Sequence, residues 1–343
     1  MAHTNSASWR VLELYSGLGG MHYAAKLADI DADVVFSLDI NTSANEVYRH
    51  NFPNTNQQAR NIESLTAKEI NKLKPNVIMM SPPCQPFTRV GLKQDVKDPR
   101  CSSFLHLLEV IPQFETVTHI LVENVVGFET SAMRQAFVDT LKSSQFHYRE
   151  FILTPEIIGI PNSRNRYYLI AKKASDFNFG EENAIMREFP ENFINLLKPS
   201  RGKVLQSYLE DNLTDEELEC YLLTEKTLMK YARILDIRQY SDLSSCCFTK
   251  AYSHYAEGTG SVLQHNREES LHERFAQFVE TEDIKHLKPL QLRYFTPREV
   301  ASLMGFPQEF KFPSTISLRT KYKLLGNSLN VFIVANLTRL LVQ

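Results

Sequence analysis

The chain has no membrane-length apolar run, no Cys-x-x-Cys pair, no Cys/His cluster at zinc spacing, no internal repeat and a single tryptophan. Each absence removes a class of protein. With no apolar stretch near the ~18 residues of a span, no transmembrane helix is expected. The N-terminus, MAHTNSASWR, lacks the apolar core of a secretory signal. Five cysteines, with Cys246 and Cys247 adjacent, make neither a disulfide framework nor a structural zinc site. Reduced thiols in an intracellular compartment are expected. A strong charge of one sign is missing too, since 38 Lys/Arg against 40 Asp/Glu give a net −2. The distribution is less even. Nine Lys/Arg stand against two acids between Lys285 and Gln343, and twelve acids against four bases between Ser175 and Glu225. Such asymmetry marks either a polyanion-binding face or ordinary solvated surfaces.

What is present is globular: 343 residues, 43% apolar and 23% charged. Apolar runs at 11–16, 34–39, 77–81, 120–125, 149–153 and 167–171 read as strands. The stretches 20–28, 43–51, 67–73, 103–111 and 131–143 between them read as helices. This rhythm predicts an α/β fold, a mostly parallel sheet with helices on both faces. Ligands on such sheets sit at the carboxyl ends of the strands. After Lys173 the rhythm stops, and a second, smaller domain is expected. Residues 331–342 read as a helix that packs back on the first domain.

Three strands run into unusual segments. The first is LELYSGLGGM (12–21), a glycine turn before a helix. Glycine permits close backbone approach, and a helix start offers N–H groups to an anion. The third glycine comes too early for a dinucleotide site, which disfavours a NAD-dependent oxidoreductase. The spacing suits S-adenosyl-L-methionine, whose anion is a carboxylate; a plain tight turn is the other reading. Asp39, closing the second strand, is placed to accept from ribose hydroxyls.

The second segment is SPPCQPFTRVG (81–91), which holds Cys84 in a stiff, proline-fixed loop. Cys101, Cys220 and Cys246 read as ordinary small core residues. The third is ENV, with Glu123. Farther on, NSRNR places Arg164 and Arg166 two apart, so that both side chains point the same way. Taken singly, Glu123 is a cap or an ion-pair partner and the arginines are surface charges. Together with a methyl donor they match one reaction. A thiolate adds to C6 of a cytosine, a carboxyl protonates or hydrogen-bonds N3, cationic donors hold O2, and C5 becomes nucleophilic. The base must leave its stack to enter such a site.

The order YSGLGG, PPCQPF, ENV, NSRNR and LLGNSLNV (324–331) resembles the cytosine-C5 methyltransferases over nearly the whole chain. The segments NEVYRHNFP and CFTKAYSHYAEGTGSVLQ (247–264) are similar to the eukaryotic type-two branch, whose members methylate cytosine 38 of tRNA-Asp. The resemblance implies a Rossmann-like S-adenosylmethionine-dependent methyltransferase fold with a smaller target-recognition domain. The implied division is 1–175 catalytic, 176–315 target recognition, and 316–343 completing the catalytic domain. It implies Cys84 as nucleophile, Glu123 as the base-holding acid, and Arg164 and Arg166 at the target base. It implies a cofactor site lined by Tyr15, Gly17, Leu18, Gly19, Gly20, Asp39, Ile62, Glu63, Ser81, Asn327 and Ser328. S-adenosyl-L-homocysteine is the implied product.

Cys247, Phe248, Thr249, Lys250 and Tyr252 are candidate substrate contacts. The aromatics Phe248, Tyr252, His254 and Tyr255 read either as stacking surfaces for an RNA loop or as core. Lys250, Lys285, Lys288, Arg293, Lys321 and Lys323 are candidate phosphate contacts. The expected partner is tRNA, chiefly tRNA-Asp, with weak binding of DNA, a monomeric state, no membrane, and a place in the cytoplasm and nucleus. A DNA methyltransferase with the same chemistry is the alternative, and an inactive nucleic-acid-binding homologue a third reading.

Overall fold

The computed structural model describes residues 8–83, 102–194, 197 and 202–343. Eight strands form the main sheet: β1 Trp9–Leu14, β2 Ala32–Asp39, β3 Gln57–Ala59, β4 Val77–Met80, β5 His119–Val125, β6 His147–Leu153, β7 Arg166–Lys172 and β8 Ile185–Met186. Their order is β3-β2-β1-β4-β5-β7-β6-β8, and β7 alone runs against its neighbours. The chain direction across the sheet reverses between β1 and β4. At such a switch point the two strand ends splay their loops apart and leave a crevice. The glycine turn follows β1 and residues 81–83 follow β4, so both start at this crevice.

The helices are α1 Gly20–Leu27, α2 Thr42–Asn51, α3 Ala67–Leu73, α4 Ser102–Val110, α5 Ala132–Ser143, α6 Glu191–Ile194, α7 Asp215–Glu219, α8 Glu225–Tyr231, α9 Leu271–Thr281, α10 Pro297–Leu303, α11 Leu318–Gly326 and α12 Val331–Val342. Strand β4 shows why the central strands read as continuous apolar runs. Val77 and Met79 face a core closed by α1 and α12, while Ile78 and Met80 face one closed by α4 and α5. Both faces are buried, so no polar alternation survives. Side chains at the helix starts fix where helices begin: Asn41, Thr66 and Ser131 each accept from a backbone N–H of the first turn. The most apolar stretch, 318–342, is broken by a turn at 327–330 into α11 and α12, and most of it is buried.

The expected strands and helices are present to within two residues at each end. The structure adds β3 and β8, short edge strands with too few apolar residues to read as such. A small sheet, ordered β11-β10-β9, is built from β9 Ile237–Arg238, β10 Val262–Gln264 and β11 Leu292–Tyr294. It shares a separate apolar cluster with α8 and α9, through Leu228, Phe278, Leu287 and Leu290. From the small sheet the chain returns to the large core at Phe295. Phe295, Val300, Leu303 and Phe306 already pack in the cluster that holds Trp9 and Leu337.

A buried ion pair makes that return. Arg293 and Glu299 are both fully buried and joined by two hydrogen bonds of 2.8 and 2.7 Å. Glu299 also closes a capping box with Thr296 and accepts from the N–H of Glu210. Arg293 is therefore corrected from a phosphate contact to a structural cation. Breaking such a pair leaves one charge stranded. Glu299→Ala is expected to cost about 3–5 kcal/mol in urea unfolding, with much of it recovered by Arg293→Met plus Glu299→Leu. A single-variant loss below ~1 kcal/mol, the size of an exposed pair, would contradict this role.

Candidate active site

The glycine turn is shaped by three different constraints. Gly17 has φ +52, and a Cβ there would meet nothing within 4 Å, so its open side faces the crevice. Gly19 (φ +83) caps α1, and a Cβ would strike Phe52 at 2.5 Å. Gly20 admits the C-terminal segment: its missing Cβ would lie 3.0 Å from Leu329 and 3.4 Å from the Ser328 hydroxyl. Leu18 is buried in the core. Tyr15 also has positive φ, and its hydroxyl donates to Ser103 at 3.1 Å.

Asp39 closes the turn from β2. Its carboxylate accepts from the N–H of Gly17 at 2.8 Å and of Asn41 at 2.7 Å. Burial raises its pKa, and these N–H donors hold part of that shift back. With the Ile40 N–H as a third donor, the carboxylate's roughly four lone-pair sites leave capacity for about one more. Ile62 is a core residue, while the exposed Glu63 accepts from the Ser102 hydroxyl and from Asn61. Asn327 is exposed at the end of α11.

Glu123 lies inside β5, two residues before its end, and is 8% exposed. It pairs in register with Tyr168 on β7, and Ser81 follows Met80, which pairs with Val122. Ser81, Glu123 and Tyr168 thus form one row across three strands. Among the described residues the buried hydroxyls of Ser81 and Tyr168 make no hydrogen bond of normal geometry. Burial raises the Glu123 pKa; Arg166, Arg164 and Ser81 pull it back only in part. Arg166 Nε stands 3.5 Å from the carboxyl. Cys84 lies outside the described residues. The chain leading to it is held beside Glu123, since Asn124 donates to the Pro82 carbonyl at 3.4 Å.

Arg164 does something other than meet a base. It is 2% exposed, and its two terminal nitrogens donate to the carbonyls of Phe248 (3.1 Å), Gly326 (3.1 Å) and Ser328, and to Cys247 Sγ at 3.2 Å. Only its Nε is left without a partner. Arg164 is expected at the target base or its neighbourhood; in the structure its terminal nitrogens are taken up in clamping the 247–264 loop, called the recognition loop below, to the C-terminal turn. Burial pushes the Cys247 thiol up, but Arg164 and Arg166 outweigh it and leave the thiol below its ordinary range.

The site thus joins a glycine turn, an acid whose pKa burial raises and an arginine pair at one end of a mostly parallel sheet. A family model described as C-5 cytosine-specific DNA methylase matches residues 9–343. The chain belongs to this family. The enzyme is 42% identical to the tRNA (cytosine(38)-C(5))-methyltransferase of Mus musculus, covering 97% of this chain and 93% of the relative. It is 38% identical to a DNA (cytosine-5)-methyltransferase of Dictyostelium discoideum, covering 97% and 94%. Among solved structures, a Spodoptera frugiperda DNMT2 mutant superposes with a TM-score of 0.87 at 43% identity, covering 98% of this chain and 100% of that one. The S. pombe Dnmt2 methyltransferase does so with 0.81 at 38% identity, covering 98% of each.

The enzyme's recognition loop divides the aromatics. Phe248 and Tyr252 are each 2% exposed, in ring contact with Phe295 and Tyr322, so their reading as stacking surfaces is corrected to core. Thr249 is tied by its N–H to the Thr259 carbonyl, and Lys250 is exposed. Lys285 and Lys288 already pair with Asp283 and Glu225.

Sequence reasoning missed two features. Ile40, beside Asp39, is 69% exposed, an apolar side chain at the mouth of the crevice. Its place after the strand-closing acid was the available signal. Beneath the glycine turn, Glu13 is fully buried and accepts from the Tyr48 hydroxyl at 2.7 Å and the His22 N–H at 3.3 Å. An acid inside an apolar strand was the signal there. Burial is the main cause that pushes the Glu13 pKa up to about 8. A raised folded-state pKa gives stability that is full below the unfolded value and is lost as pH rises through the folded one. Stability is thus expected to fall between about pH 4.5 and 8 in urea unfolding. Glu13→Gln should flatten that slope; an unchanged slope would remove Glu13 as its source.

Proposed function

We propose that the enzyme transfers a methyl group from S-adenosyl-L-methionine to C5 of a cytosine in tRNA, chiefly cytosine 38 of tRNA-Asp. The observation that carries the reading is the buried Glu123 carboxyl beside Arg166, at the end of the strand next to the Pro82–Pro83 lead into Cys84. Similarity to curated tRNA (cytosine(38)-C(5))-methyltransferases over nearly the full length, recognition loop included, favours RNA as the substrate.

The residues present fit the cofactor. The start of α1 and the open side of Gly17 suit its carboxylate, the remaining lone-pair capacity of Asp39 its ribose, and exposed Ile40 an apolar ring. When bound, it supplies an electrophilic methyl on a sulfonium. The chain does the rest. The Cys84 thiolate forms a bond to C6 of the base. Glu123, whose pKa burial raises, gives a proton to N3, so no carbanion develops. The electron pair then at C5 takes the methyl. Loss of the C5 proton restores the ring double bond, expels the Cys84 thiolate and lets N3 return its proton to Glu123. One chain carries the carboxyl and the recognition loop, so a monomer suffices.

Bisulfite sequencing of total tRNA after incubation with cofactor tests the reading, with duplex DNA and Cys84→Ala in parallel. Protection at cytosine 38 of tRNA-Asp, lost in Cys84→Ala, is expected. The Dictyostelium relative named for DNA makes DNA the second reading, and protection in duplex DNA alone would select it.

Glu123→Gln should lower single-turnover methylation by roughly 10²–10⁴-fold while cofactor affinity holds. Because the Glu123 pKa is raised, wild-type turnover should persist above the usual carboxylate range and fall once the proton is lost at higher pH. Asp39→Ala should instead weaken cofactor binding by roughly ten-fold or more in equilibrium dialysis. Equal affinity in the two proteins would refute the Asp39 assignment.

A further inference from the structure

The recognition loop turns sharply after Tyr252. Ser253 takes φ +64, and the N–H groups of His254 and Tyr255 both bond back to the Ala251 carbonyl. The turn throws two rings outward. Tyr255 is 60% exposed, and His254 meets it edge-on at 4.6 Å. A large ring left in solvent contributes nothing to the core. This one is nonetheless held firmly: Tyr252, buried against Tyr322 and donating to the Ser261 carbonyl, anchors the turn to α11.

Helix α11 supplies the rest of the face. Arg319 and Lys323 are exposed at i and i+4, and Asn327 continues the stripe one turn on, about 12 Å from Arg319. The Arg319 guanidinium lies 3.4 Å from His254 Nε2, which ties the ring to the helix. Lys250 adds a third cation where the loop backbone crosses Gly326, with the Lys250 nitrogen 2.2 Å from where a Cβ on Gly326 would stand. Among the described residues none of these three cations has an acid at ion-pair distance. Glu257, the nearest acid in sequence, lies within electrostatic reach of Lys230. The face adjoins the Arg164 clamp, because the Gly326 carbonyl accepts from that guanidinium.

We propose that this face is the dock for the single-stranded RNA beside the target cytosine: Tyr255, steadied by His254, stacks on an unpaired neighbouring base, and Arg319, Lys323 and Lys250 hold the phosphates on either side. Stacking on an exposed ring suits unpaired loop nucleotides, whose base faces are free, and is not available to a base inside a duplex. The inference rests on the tRNA reading above and deepens it by naming the surface and the ring.

The test uses the full chain with an unmodified tRNA-Asp transcript and with its isolated anticodon stem-loop. Tyr255→Ala should weaken binding of both RNAs roughly ten-fold, the size of one base stack, and raise KM more than it lowers kcat. Tyr255→Phe should bind as wild type does, and cofactor affinity should be the same in all three. Lys323→Ala should reduce the slope of log affinity against log salt by about 0.7. If wild type methylates tRNA-Asp but Tyr255→Ala binds it within two-fold of wild type, the dock is refuted while the tRNA reading stands. A loss seen with the full transcript but not the stem-loop refutes the loop contact as well. If wild type methylates no tRNA, both fall together.

Discussion

One buried guanidinium ties the site together. Arg164 stands just before β7 and reaches two segments far away in sequence, the recognition loop at 247–248 and the turn at 326–328. Burying a cation is costly unless its donors are met. Here three carbonyls and a thiol meet them, and the planar fork of arginine can aim at two backbones at once, which a lysine cannot. Because β7 runs antiparallel to β5, Arg166 and Tyr168 follow Arg164 at alternate positions and come to rest beside Glu123. The same short stretch therefore sets the distance between the acid and the loop that must present a base to it.

Two buried acids on one face of the sheet show how environment divides structure from chemistry. Glu13 and Glu123 are both pushed up by burial. Glu13 is closed off: a tyrosine hydroxyl and a backbone N–H occupy its two oxygens, and His22 bonds to that hydroxyl at 2.9 Å. Glu123 is open. Among the described residues the Arg166 guanidinium stands 3.5 Å away, and the Tyr168 hydroxyl beside it makes no hydrogen bond. A completed network fixes a fold, whereas an incomplete one in a crevice retains capacity for a ligand.

Local pattern carried most of the fold. The central strands were legible because burial on two faces leaves long apolar runs, and the helices because their caps and faces agree. The edge strands β3 and β8 were not, since an edge strand of two or three residues needs no apolar signature. The parity of Arg164 and Arg166 was legible, but their separate roles were not. What distinguishes them is which distant backbone comes within reach. The loop aromatics show the same limit. Phe248, Tyr252, His254 and Tyr255 share one stretch of similar composition, and a single left-handed residue, Ser253, decides which pair faces the core. Arg293 was misread because its partner Glu299 lies across a strand–helix corner that no spacing rule marks.

The glycine turn, finally, is not a property of the N-terminal strand alone. Gly20 is packed against Leu329 and Ser328, and α12 lies along α1. Gly326 in turn is packed against the backbone of Thr249 and Lys250. Two glycines thus serve one purpose at opposite ends of the C-terminal turn, each removing a side chain where two backbones or a backbone and a neighbour must touch. The glycine turn, the recognition loop and the last helices can take their final places only together. The glycine turn and the 247–264 loop are thereby coupled by packing, because the segment that closes one is the segment that supports the other.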